Sequence, residues 1–64
     1  MMKAIVLDYN TLSVCVEIIP DDEPAEFSLI DLDYRLDSIS YMCVDDDEPV
    51  PVYFCDADKP IAKL

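Results

Sequence analysis

Asp21-Asp22-Glu23-Pro24-Ala25-Glu26-Phe27-Ser28-Leu29-Ile30-Asp31-Leu32-Asp33-Tyr34-Arg35-Leu36 decides the fold class of this chain, because it satisfies two periodicities at once. Ala25, Leu29, Leu32 and Leu36 are spaced 4, 3 and 4 residues apart, which makes one apolar stripe of a helix. Ile30, Leu32, Tyr34 and Leu36 also alternate with Asp31, Asp33, Arg35 and Asp37, the period of a strand. The flanks break the tie. Asp22 or Glu23 can cap a helix, Pro24 suits its first turn, and the acids stand where the helix dipole favours negative charge. The stretch is therefore expected to be helical at least to Leu32, with Tyr34 to Asp37 a loop or an extended lead-in. If residues 26–36 are strand instead, the chain is all-β.

On the N-terminal side, apolar runs from Lys3 to Tyr9 and from Leu12 to Ile19 meet across Asn10-Thr11, and Pro20 ends the second. Asn tolerates the left-handed region, which helps a chain without glycine to turn, and a four-residue loop from Tyr9 to Leu12 suits Thr11 better than a two-residue turn. This pairs Asp8 with Ser13, Leu7 with Val14 and Ile5 with Val16. One face then collects Ile5, Leu7, Val14, Val16 and Ile18, and the other Ala4, Val6, Asp8, Ser13, Cys15 and Glu17. Such a split suits a half-buried hairpin with the apolar face inward.

On the C-terminal side, Ile39 to Val44 and Val50 to Cys55 read as a second hairpin around Asp45-Asp46-Asp47-Glu48-Pro49, opposing Cys43 with Val50, Tyr41 with Val52 and Ile39 with Phe54. Pro51 lacks a donor and confines its strand to an edge or to an outward-facing position. Residues 56–64 carry Lys59 and Lys63 and are expected to be a mobile tail. The expected fold is a single α+β domain over residues 1–64, in the order β-β-α-β-β, with two antiparallel hairpins in one sheet packed on one helix.

The composition excludes more than it identifies. Fifteen acidic and 4 basic residues among 64 leave a net charge of −11, and 53% hydrophobic residues argue for a folded chain despite it. There is no His and no Gly, so the usual acid–base residue and any glycine-rich phosphate loop are missing. So negative a surface repels nucleic acid and anionic membranes, which rules against direct binding to either. The apolar run before Asp8 is too short for a signal peptide or membrane span, so a soluble cytoplasmic protein is expected. Cys15, Cys43 and Cys55 are odd in number, widely spaced and set in apolar stretches, as small hydrophobes rather than disulfide partners or zinc ligands.

Two motifs fall short of chemistry. Counting from Asp45, an EF-hand loop would need Gly sixth and Glu twelfth, where Val50 and Asp56 stand. Leu7-Asp8-Tyr9-Asn10-Thr11-Leu12 is similar to the first motif of haloacid-dehalogenase-type phosphatases. Asn10 replaces their second Asp, however, the Gly is missing, and the groups that activate a nucleophile are absent. No catalytic, cofactor or metal site is expected, and the chain reads as a non-enzyme. What remains is the acidic surface of Asp21, Asp22, Glu23, Glu26, Asp31, Asp33, Asp37, Asp45, Asp46, Asp47 and Glu48, suited to a basic protein partner. The alternative function is a nucleic-acid mimic that occupies the groove of a DNA- or RNA-binding protein. The hairpin face carrying Ala4, Val6 and Cys15 is the candidate surface for a weak homodimer.

Met2-Lys3-Ala4-Ile5-Val6-Leu7-Asp8-Tyr9 and Tyr34-Arg35-Leu36-Asp37-Ser38-Ile39-Ser40-Tyr41-Met42 resemble short acidic uncharacterised proteins of conjugative and other mobile elements in gut anaerobic bacteria. Those proteins often have Gly near the Tyr34 segment, where this chain has Asp33. The resemblance implies an accessory role in a mobile element and no particular activity.

Overall fold

The apolar runs at 3–9 and 12–19 form the hairpin that their pattern demands. In the computed structural model, which describes residues 1–55 and 57–64, β1 is Met2–Asp8 and β2 is Ser13–Ile19, with Asp8 opposite Ser13, Leu7 opposite Val14 and Ile5 opposite Val16. The four-residue loop is held by Asp8, whose Oδ1 accepts the amides of Asn10 at 2.9 Å and Thr11 at 3.3 Å. The left-handed residue of the loop is Leu12, with φ 57°, rather than Asn10.

Helix α1 spans Ala25–Asp31, so residues 26–36 are not a strand and the all-β alternative falls. Pro24 stands just outside the helix as its N-cap, with extended ψ, and no side chain caps the first turn. Glu23 has another task, accepting a 2.7 Å hydrogen bond from Ser28 Oγ. At the other end Asp33 adopts φ 68°, Asp33 N–H donates to Ile30 O, and Tyr34 N–H donates to Leu29 O. This is a Schellman closure with Asp in the position that glycine usually takes, and it stops the stripe before Leu36. A 3-10 turn, Leu36–Ser38, then leads into β3, Ile39–Asp45.

β3 does not fold back on residues 50–55. It pairs antiparallel with β1, Met2 opposite Asp45 and Asp8 opposite Ile39, to give a sheet of order β2-β1-β3 with the first strand in the centre. The expected pairs Cys43–Val50, Tyr41–Val52 and Ile39–Phe54 do not form. Residues 50–55 compete poorly for β3, because Pro51 offers no N–H while β1 presents a full free edge. Residues 51–52 form a short β4, Pro51–Val52, paired with β5, Ala62–Lys63, in the stretch where only a tail was expected. Val50 and Leu64 exchange both amide–carbonyl hydrogen bonds beside it. Pro51 falls in the pair between, where its missing N–H is not called on.

The third strand also reverses which face is the core. Ile39, Tyr41 and Cys43 of β3 join Met2, Ala4, Val6, Cys15 and Ile19, and this once-mixed face packs on α1. Ala4, Val6, Ile19 and Leu29 are its fully buried centre, the small Ala4 allowing close approach. The homodimer surface expected at Ala4, Val6 and Cys15 therefore lies under the helix. The opposite face is made of Lys3, Ile5 and Leu7, of Val14, Val16 and Ile18, and of Ser40, Met42 and Val44. The β4–β5 ribbon covers part of it, and Leu7, Val14, Val16, Ile18 and Met42 stay exposed.

Candidate functional site

Eleven carboxylates singled out in the sequence are all exposed, and the topology sorts them. Because Met2 is opposite both Ile19 and Asp45, β2 and β3 end at the same end of the sheet, on either side of the start of β1. Asp21, Asp22 and Glu23 leave β2 there, and Asp45, Asp46, Asp47 and Glu48 leave β3 there, the latter four in a turn closed by Glu48 N–H to Asp45 O at 3.0 Å. Asp31 joins Glu23 and Ser28 around a shallow dip beside Ile18. Glu26 stands beside Tyr41, while Asp37 lies towards the opposite end, where Ser38 O accepts from Tyr9 N–H. Asp33 is tied up as the helix stop.

Little positive charge opposes this array. Among the described residues the ion pairs are the N-terminal amine with Asp21 at 3.3 Å and Arg35 with Asp37 at 3.6 Å, both exposed. Lys3 is buried, and its ammonium donates to the main-chain oxygens of Glu48 and, at 2.9 Å, Leu64. That contact pins the acidic turn and the ribbon to the outer face of the sheet, so the lysine serves as a strut.

Between the ribbon and the sheet runs an open groove of about 620 Å³, lined by Ile5, Leu7, Val14 and Met42 from below and Val52 and Tyr53 from the side. Its walls are overwhelmingly apolar, as ligand and partner grooves are. Sequence reasoning found the sheet half of this surface as a row of apolar residues but turned it inward. The ribbon half carried no readable signal beyond the alternating Val50, Val52 and Phe54.

Three groups outside the acidic array, Tyr34, Tyr41 and Cys43, are shifted towards their neutral forms. The neighbouring Cys15 thiol and burial push the Tyr34 hydroxyl well above the usual tyrosine range. The Glu26 carboxylate raises Tyr41, and burial with Glu26 nearby raises the Cys43 thiol. Cys15 and Cys43 pack at the margin of the core, and Cys55 is exposed. Among the described residues no three His, Cys, Asp or Glu side chains converge to hold a metal ion, and no helix is long and apolar enough to cross a membrane.

Comparison with protein-family models, with curated proteins and with solved structures finds no match to this chain.

Proposed function

We propose that this chain is a small acidic, non-enzymatic protein-interaction module of the cytoplasm, binding a basic partner as an accessory protein of a mobile element. One observation carries the reading: two acidic blocks far apart in sequence, 21–23 and 45–48, meet at one end of the sheet with almost no compensating charge. A surface shaped only for solubility intersperses both signs, whereas a field of one sign steers a partner of the other.

A second reading is the nucleic-acid mimic. β2 and β3 flank β1, so the two blocks leave strands about 10 Å apart, between the roughly 6 Å and 12 Å widths of the DNA grooves. Phosphates face one another across such widths, and carboxylates on this spacing would suit a groove that binds nucleic acid.

The test compares two triple variants of equal charge, Asp45→Asn/Asp46→Asn/Asp47→Asn and Asp31→Asn/Asp33→Asn/Asp37→Asn, against the partner captured from the native host. The first triple is expected to weaken binding by about tenfold or more, the second far less, with affinity falling as salt rises. Equal losses, or binding indifferent to salt, overturn the reading. Displacement of the chain by duplex DNA or RNA selects the mimic.

A further inference from the structure

We propose that the open outer face of the three-stranded sheet is the contact surface for a second copy of this chain, giving a weak symmetric dimer with the two sheets face to face. The surface itself is the first observation. Leu7, Val14, Val16, Ile18 and Met42 are between 39% and 57% exposed on one side of one sheet, a contiguous apolar patch rather than scattered side chains. The molecule is also thin, with extents of 36 × 27 × 12 Å. Its accessible surface is 4676 Å², where a folded chain of its mass is expected to expose about 4,200 Å². A sheet with a helix on one side and only a short ribbon over part of its apolar second face lacks a full layer there.

Charge selects the occupant. None of the nine residues on this face is acidic, and its one cation, Lys3, already has its ammonium satisfied by the chain's own oxygens. A basic partner is drawn to the carboxylates, which lie on the helix side and at the sheet ends. A second copy is repelled from those places, and on this face it meets like charge only at the end where the Asp45–Glu48 turn lies over Lys3. With sheets packed about 10 Å apart and a helix layer outside each, the helix-side carboxylates of two copies stand on the order of 30 Å apart. That is several Debye lengths at physiological salt, about 8 Å each.

The shape is self-complementary as well. The ribbon stands over part of the face and leaves the β2 side open, so a two-fold axis sets each ribbon beside the open strand of the other copy. The whole three-stranded face is roughly 300–400 Å², and the part that the ribbon leaves open is smaller still, well below the size of a standard stable interface. The dimer is therefore a weak one, populated at high concentration.

Sedimentation equilibrium from about 10 μM to 1 mM protein in physiological salt reads this directly. The expected result is a mass climbing from 7.3 kDa towards twice that value, with tighter association as salt screens the outer charges. Val16→Lys should weaken the dimer by about tenfold or more through an unpaired interfacial charge, with the far-ultraviolet circular dichroism unchanged. Should that variant fail to fold, Val14→Lys, at the more exposed position 14 of the same face, gives the same reading. Dilution of the unmodified protein should move amide resonances of β2 and Met42 and leave those of α1 in place. A constant 7.3 kDa mass at the highest concentration, a dimer indifferent to both substitutions, or shifts confined to α1 each overturn the proposal. The aspartate-to-asparagine variants above leave this face intact, so failure here does not touch the acidic-module reading.

Discussion

Leu12 and Asp33 carry the backbone strain of a chain that has no glycine. Their φ values of 57° and 68° lie in the left-handed region, which disfavours residues with a Cβ and is least costly for Asn, Asp and Gly. Leu12 is 88% exposed, so its side chain returns nothing in packing. Leu12→Gly is expected to stabilise the fold by about 1 kcal/mol and Asp33→Gly by roughly half that, after the extra freedom of glycine in the unfolded chain is set against the relief. In a domain of this size about 1 kcal/mol moves the melting temperature by roughly 4–8 °C. Thermal melts in which either variant is less stable than the parent would contradict the assignment of strain. Tyr34, Tyr41 and Cys43 predict a pH limit. Their folded pKa values lie above the ordinary 10.0 and 9.0, so the unfolded chain releases its protons first as pH rises. The stabilisation is complete below those ordinary values and is lost above them. Urea unfolding at several pH values between 8 and 11 should show stability falling from about pH 9 upward, and Tyr34→Phe should flatten the steeper part of the decline.

At the scale of elements, what was legible in the sequence was what is local. The first hairpin could be read with its register because both strands and their loop lie within Met2 to Ile19, and α1 could be read from Pro24 and its acids against a competing strand period. Leu29, fully buried against Ala4, Val6 and Ile19, is the anchor of that helix. Leu29→Ala is expected to cost about 2–4 kcal/mol, whereas Ile30→Ala, on the exposed side, should change little; comparable losses in urea midpoint would show that the helix packs differently. The partner of β3 was not legible, since Ile39 to Val44 matches β1 and residues 50–55 equally well by pattern. The competition is settled by donors that Pro51 lacks, and settling it decides which sheet face is buried. The acidic residues were legible as a set, but their convergence at one end depends on the same long-range pairing. The Lys3 strut was invisible for another reason: an isolated lysine opening a strand reads as a solvated end. Lys3→Met removes two charge-assisted hydrogen bonds, each worth about 1.5–3 kcal/mol. Amide exchange at Val50 and Leu64, which bond one another, should accelerate more than exchange at Val6 in the central strand. Uniform acceleration would mean that the ribbon has no stability of its own to lose.

At the scale of the whole molecule, −11 charges share a surface of 4676 Å², with two exposed ion pairs among the described residues to relieve them. Self-repulsion of this kind weakens as salt shortens the Debye length from about 30 Å at 0.01 M to 8 Å at 0.15 M. The melting temperature is expected to rise across that range, and a flat or falling value would show that the carboxylates are already paired. The central position of β1 also sets a clock. Its edge towards β2 is filled by a neighbour made immediately after it, but its other edge waits for β3, whose last residue follows Ile19 by 26 positions. At 5–20 residues per second on the ribosome that interval is about 1–5 s, far longer than the microseconds in which a hairpin forms. For those seconds the nascent chain displays a seven-residue strand with an unpaired edge and two apolar sides, the most adhesive object it will ever be. Asp8, Glu17 and the Asp21-Asp22-Glu23 block have emerged by then, ahead of α1 and β3. Mutual repulsion between neighbouring chains on one message would guard that edge before the fold exists to cover it.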